Sequence, residues 1–411
     1  MSKPPVRMTR RIFLQATAAG AAIAATGLAG APRRAHAADT IKFGLIHPVT
    51  GFLQFSGTQC RFGALTAIEE INAAGGIKAL GGATLEPVLG DAQSKAEVGA
   101  AEIEKFNEAG VAAIVGAYSS GISLATTQAA AKYGIPHVVD VGVNDQIVSR
   151  GLSNTFRFGP GFGVITEAGV NGLIEINAAA GKPATTVVIV HENTTPFGSY
   201  MADLMKKGLE PAGFEVLDIL PHPTPNKDFQ NIALKIKELN PDLIIPSHYY
   251  NENVLFLRTL QRQRIEPKAI YSVLGGASSQ YRFVEEFPDA AQYVMDCNHW
   301  FDPRNPKAAE LRDKTEAAGK SFSYEVFLAY TAVQFAADAM ERAGSADRAA
   351  ITEAMASSTW AGHFMPYGAT EMVNGQNQGA RPLITQVQGT AIEVVAPADY
   401  ETAPAIFPRP A

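Results

Sequence analysis

Cysteine is the scarcest chemically useful residue in this chain: 411 residues hold only Cys60 and Cys297. Two thiols so far apart in sequence cannot build the dense disulfide framework of a small stapled fold, so both are expected to be free and structural. Positive charge is also short. There are 34 Lys and Arg against 40 Asp and Glu, a formal charge of -6, and the basic residues are dispersed. That excludes a nucleic-acid surface as the working face. Beyond the first forty or so residues no apolar run is long enough to cross a bilayer. Metal-ligand spacing is missing as well. No His, Cys or carboxylate pair is set as in a known metal motif, and His191-Glu192 reads as a solvated pair at a strand end. No metal and no cofactor are expected.

What is present begins with an export pattern. Thr9-Arg10-Arg11-Ile12-Phe13-Leu14-Gln15 resembles a twin-arginine signal, with Gln15 where lysine is commoner. An Ala-rich, weakly apolar stretch follows from Ala16 to Ala31. Ala35-His36-Ala37 then fits a small-x-small cleavage site. The stretch is too short and too rich in Ala and Gly for a membrane anchor. Residues 1–37 are therefore predicted to be a signal peptide cleaved after Ala37, with the mature protein in the periplasm.

The mature chain alternates apolar runs with helical patterns. Ile41 to Ile46 reads as a buried strand. A turn at Pro48-Val49-Thr50-Gly51 leads to a helix whose Phe62, Leu65, Ile68 and Ile71 fall three or four apart, and Gly75-Gly76 stops it. Further strands are predicted at Thr84 to Leu89, Val111 to Val115, Gly134 to Val139, Thr186 to His191, Pro241 to Pro246 and Lys268 to Val273. Strands alternating with helices at this spacing predict an α/β fold with parallel sheets. In such folds ligands bind where strand C-termini meet helix N-termini.

One helix start stands out chemically. In Gly116-Ala117-Tyr118-Ser119-Ser120-Gly121, a strand runs into a helix through two serines. A helix N-terminus offers unpaired N–H groups and the positive end of a dipole, which suit a carboxylate. The serine hydroxyls add donors there. Two other readings of these residues are open. Serine is a favoured N-cap in its own right, and Ala117-Tyr118-Ser119-Ser120-Gly121 approaches the G-x-S-x-G elbow of hydrolases, for which His222, His248, His299 and His363 could supply a base.

The opening unit carries a resemblance. Gly44, Pro48, Thr50-Gly51, Gly57, Gly63-Ala64, Glu70-Ile71-Asn72 and Gly75-Gly76-Ile77 are similar to the start of the amino-acid-type periplasmic binding proteins, the family of the leucine/isoleucine/valine-binding protein. The likeness extends through Asn240-Pro241-Asp242-Leu243-Ile244-Ile245 over essentially the whole mature chain. It implies two doubly wound parallel-sheet lobes joined by a three-strand hinge: residues 39–158 with 299–361, then 159–298 with 362–396, and a Pro-rich tail at 397–411. It implies a monomeric, non-enzymatic solute-binding component of an ABC importer, with an inner-membrane permease as its partner.

The resemblance also implies a site. Ser120 falls on the serine that grips a ligand carboxylate, within Tyr118-Ser119-Ser120. The loop at Gly142 and Asn144 supplies further polar groups. Phe55 and Phe197 occupy positions where the relatives place tyrosines, and with Tyr249 and Tyr250 they form an apolar, aromatic wall. The disulfide of the leucine-binding relative is missing here. So is the acid that holds the ligand's ammonium, because the loop in question reads Leu274-Gly275-Gly276. Glu325, which aligns near a ligand-contacting residue, is either a substitute acid or an ordinary helix glutamate. The expected ligand is a small carboxylated solute with an apolar or aromatic body. Leucine-like amino-acid binding and a ligand sensor are the alternatives.

Overall fold

The computed structural model describes residues 39–195 and 197–410. The twin-arginine pattern and its cleavage site lie outside the described residues. Five strands come first: β1 Thr40–His47, β2 Thr84–Asp91, β3 Ala113–Gly116, β4 His137–Val139 and β5 Thr155–Arg157. Five more follow: β6 Thr186–Glu192, β7 Glu215–His222, β8 Leu243–Ser247, β9 Ala269–Val273 and β10 Met295–Asn298. The last four are β11 Met372–Val373, β12 Gln376–Asn377, β13 Leu383–Gln388 and β14 Ala391–Ala396.

These strands form two seven-stranded sheets, ordered β11-β12-β5-β4-β3-β1-β2 and β14-β13-β10-β9-β8-β6-β7. Pairing among β1 to β5 and among β6 to β10 is parallel. The core strands read as near-continuous apolar runs because helices cover both faces. Phe43, Leu45 and Ile46 of β1 and Ile244 and Ile245 of β8 are fully buried. The loops that follow β3, β4, β6, β8, β9 and β10 line a common space between the two sheets.

The long helix Tyr324–Ala343 packs on the helix Gln54–Ala73 in the first lobe. Gly63 permits their close approach. A Cβ built there would stand 2.1 Å from the Val326 carbonyl oxygen, so a side chain cannot be accommodated without moving a helix. Cys60 and Cys297 are buried free thiols.

The structure alters two expectations. The final passage to the second lobe follows Asn377, not Gly362-His363, because β12 pairs with β5 at Gln376 and Arg157. Residues 362–377 thus belong with the first sheet. Gln376 Nε2 donates to the Gly159 carbonyl at 3.0 Å and Asn377 Nδ2 to that of Phe158 at 3.2 Å. Side-chain bonds of this kind leave no hydrophobic period to read. His191 and Glu192 are buried, not solvated. The Pro-rich tail lies along the surface and is tied to β13: Ile406 N–H donates to Gln386 Oε1 at 2.8 Å, and Gln386 Nε2 returns a bond to the Ile406 carbonyl at 2.8 Å. Among the described residues no helix is long and apolar enough to cross a membrane.

Candidate functional site

A cavity of about 390 Å³, open space at its mouth included, lies between the lobes. The first lobe contributes Tyr118, Ser119, Ser120, Val141, Val143 and Tyr324, and the second contributes Phe197, His248, Tyr249 and Leu274. Asn298 and His299, where the chain leaves β10, complete it.

The serines stand where β3 turns into the helix Ser120–Ala131. Ser119, not Ser120, is the cap: its Oγ accepts the Ile122 N–H at 3.4 Å. Ser120 occupies the first helical position, and its Oγ accepts the Asn144 N–H at 3.2 Å. A hydroxyl accepting in this way keeps its proton to donate. The first N–H groups of a helix have no partner within the helix, so this corner concentrates donors.

A buried relay fixes the corner. Asp140 Oδ1 accepts the N–H of Tyr118 at 2.9 Å and of Val141 at 2.7 Å, tying together two loops that line the cavity. Its Oδ2 lies 3.0 Å from His47 Nε2, and His47 Nδ1 accepts from Arg61 Nε at 3.2 Å. Burial pushes the Asp140 carboxyl up, but the His47 hydrogen bond and charge, with the two N–H donors, bring it below the ordinary carboxylate range. His47, Cys60 and Asp140 lie close enough to hold a cation. The bonds argue otherwise. Arg61 occupies Nδ1, which puts the His47 proton on Nε2 facing Asp140, and the guanidinium repels a metal.

The lining carries no fixed charge. Burial raises the phenols of Tyr118, Tyr249 and Tyr324, keeping them neutral. Burial, then the charge of nearby histidines, holds His248 well below its usual value. Burial and Arg157 lower His299 to about 3. Tyr118 and Leu274 both have left-handed backbone, with φ of 63° and 56°. Non-glycine residues in that region concentrate at ligand sites.

Of the residues singled out in the sequence, Tyr118, Ser119, Ser120, Phe197 and Tyr249 come together on this cavity. The rest stand around it. Gly142 sits between two lining valines, and Asn144 bonds Ser120 through its N–H while its Oδ1 accepts from Gln146. Phe55 and Tyr250 stack on each other across the lobes, ring centroids 4.1 Å apart. Gly275 N–H donates to Asp296 Oδ1 at 3.0 Å. Glu325 is fully buried but off the cavity wall, held by Gln280. Glu192 shapes the loop that presents Phe197, accepting from the N–H groups of Thr194, Thr195 and Gly198 at 3.0 Å each.

Sequence reasoning did not assign Val141, Val143, Leu274, Asn298 or Tyr324 to the wall, and took His248 and His299 only as candidate bases. Tyr324 had a signal, as the residue beside Glu325 at a helix start, and His248 another as the neighbour of Tyr249. Asn298 had none, since its place depends on Asp296, which accepts from Asn298 Nδ2 at 3.0 Å.

Comparison with known proteins adds to this geometry. A family described as periplasmic binding protein matches residues 40–391. The Leu/Ile/Val-binding protein homolog 8 of Brucella abortus (strain 2308) is 30% identical over 243 residues, 58% of this chain. The match spans 59% of that relative's own length. A branched-chain amino acid transporter substrate-binding protein of Streptococcus pneumoniae, solved with isoleucine, superposes with a TM-score of 0.75 at 23% identity, over 87% of this chain and 100% of that one. A solute-binding protein from R. palustris, solved with benzoate, gives 0.74 at 19% identity, over 90% and 98%. At these identities the likeness to the two structures is one of fold.

Proposed function

The chain belongs to the periplasmic binding protein family, and from that premise we propose that it captures a small carboxylated solute, apolar or aromatic in body, in the cavity between its lobes. It would act as the exported solute-binding component of an ABC importer and hand the solute to an inner-membrane permease. The observation that carries this reading is the uncharged cavity with one donor-rich corner. The Ser119-Ser120 helix start offers hydroxyls and N–H groups to a carboxylate, while Phe197, Val141, Val143 and Leu274 offer apolar surface. Ligand closure of the lobes follows from contacts on both sides. The export pattern in residues 1–37 supports a periplasmic site of action, reached by the twin-arginine route.

The same cavity favours a solute without an α-amino group. A buried ammonium without a counter-charge is costly, and no described residue on the wall is an acid. The relative solved with benzoate supports such a ligand for this fold. A second reading, amino-acid binding proper, is favoured by the name of the Brucella relative and by the relative solved with isoleucine. The test is a competition series by thermal shift and calorimetry. Leucine and phenylalanine are compared with their 2-oxo and 2-hydroxy counterparts and with benzoate. The oxo, hydroxy or aromatic acids should bind at least tenfold more tightly. A preference for leucine over its 2-oxo acid would transfer the assignment to amino acids.

A hydrolase reading of the serines finds little support. A nucleophile needs a base on its hydroxyl. Here Ser119 caps its helix and Ser120 bonds the Asn144 backbone, and among the described residues neither is hydrogen-bonded to an imidazole.

A further inference from the structure

Glu325 is the one acid among the site residues that the sequence singled out, and it does not line the cavity. It opens the helix Tyr324–Ala343 of the first lobe and is fully buried. Its partner belongs to the other lobe. Gln280, in the loop between β9 and the helix Tyr281–Glu286, sends Nε2 to Glu325 Oε1 at 3.0 Å and Oε2 at 2.9 Å. The same nitrogen lies 3.0 Å from the Gly276 carbonyl, which aims the amide at the carboxylate. Neither Glu325 nor Gln280 lines the cavity.

We propose that Glu325 and Gln280 form a clasp that draws the lobes together whether or not a solute is bound. The groups facing the carboxylate fit this role. Gln280 gives it hydrogen bonds, the hydroxyls of Ser56 in the helix Gln54–Ala73 and of Ser323 lie beside it, and the phenols of Tyr118, Tyr324 and Tyr250 and the Cys60 thiol lie within its field. None of these is a cation. A buried carboxylate without a cation depends on its hydrogen bonds, and opening the lobes removes the two from Gln280. Closure is thus rewarded directly, by a charge-assisted contact away from the solute.

The clasp also has mechanical company and a link to the site. On the same side of the cleft Phe55 stacks on Tyr250 at 4.1 Å, and the Arg282 guanidinium lies 5.0 Å over the Phe55 ring. Asn251 Nδ2 reaches the Phe52 carbonyl at 3.4 Å. Ser56 neighbours both Glu325 and the Tyr118 hydroxyl, and the Tyr324 hydroxyl lies close to that of Tyr118. Two residues of the cavity wall, Tyr118 and Tyr324, therefore stand next to the clasp.

This inference rests on the reading of the protein as a two-lobed solute binder, but its first test needs no solute. Spin labels at Lys95→Cys in the first lobe and Asn193→Cys in the second, both exposed, report the distance across the cleft. The native thiols are buried and stay unlabelled. The otherwise unsubstituted, ligand-free protein should show a major short-distance population, and Gln280→Ala and Gln280→Glu should shift it to long distances. A ligand-free protein that is wholly open, or a distribution unmoved by both substitutions, overturns the clasp. Affinity gives the second test, with benzoate, leucine and 4-methyl-2-oxopentanoate as probes. Loss of the clasp taxes every probe alike, so Gln280→Ala and Glu325→Gln should each weaken all binding probes by a common factor of roughly 10 to 100. The double substitution should cost no more than either single one. A loss confined to leucine in Glu325→Gln overturns the clasp and makes Glu325 an ammonium acceptor. Failure of every probe to bind would count against the proposed solute, leaving the distance measurement to decide the clasp.

Discussion

Ser120 serves two partners with one hydroxyl. Its oxygen accepts the Asn144 N–H at 3.2 Å, which docks one cavity loop on another, and its proton remains to be donated. Ser120→Ala should keep the fold, because the helix cap belongs to Ser119. Leaving a ligand carboxylate short of one charge-assisted donor costs about 1.5–3 kcal/mol. Calorimetry with the tightest carboxylate from the competition series should show that loss, with the ligand-free melting temperature lowered by no more than a few degrees. Undiminished affinity would remove Ser120 from the site. The sequence already marked this residue, since two serines at a strand-to-helix turn are a local pattern. It could not say which serine caps, because that depends on whether the backbone leaves the extended region at Ser119 or one residue later.

At the scale of elements, the strands were legible because burial on both faces writes itself as short apolar runs, as at Phe43 to Ile46. Helices showed through their period, as at Phe62, Leu65 and Ile68. What periodicity does not carry is pairing made by side chains. The two-residue strands β11 and β12 join the first sheet through Gln376 and Asn377, polar residues without a pattern, and so the last passage between lobes was misplaced. The wall of the site was half legible for the same reason. Tyr118, Ser119, Phe197 and Tyr249 lie in loops that follow strands, whereas Asn298 is held by Asp296 and Tyr324 arrives on a helix from far along the chain. That helix approaches its neighbour at Gly63, where a Cβ would meet the Val326 carbonyl oxygen at 2.1 Å. Gly63→Val should therefore force the helices apart and destabilise by about 1–3 kcal/mol or more, read as a lower urea midpoint. It should also weaken binding, because Tyr324 moves with its helix. A variant of normal stability would mean that the helices do not pack this closely.

For the whole molecule, the lobes bury seven histidines among the described residues, and the sign of their titration can be worked out. Burial lowers His137 to about 4, and burial with the Arg157 charge lowers His299 to about 3. A base with a lowered pKa takes up its proton more readily when unfolded, so its contribution to stability is lost as pH falls below about 6.5. Each of the two costs about 2 kcal/mol by pH 5, at about 1.4 kcal/mol per pH unit and proton. Asp296 acts the other way. Burial raises its carboxyl to about 6, so the folded state binds that proton more tightly and regains about 1.3 kcal/mol between pH 7 and pH 5. His47, His222, His248 and His363 are lowered and add to the loss, while Glu252 and Glu325 are raised and oppose it. The histidines outnumber the acids, and His137 and His299 alone exceed Asp296. Urea unfolding should accordingly show the protein about 2 kcal/mol or more less stable at pH 5 than at pH 7. His137→Gln, whatever its effect on the stability at pH 7, should flatten that slope by the share of one proton. A stability that is level or rising between pH 7 and pH 5 would mean that these imidazoles reach water in the folded state, and that the lobes are more open than their packing shows.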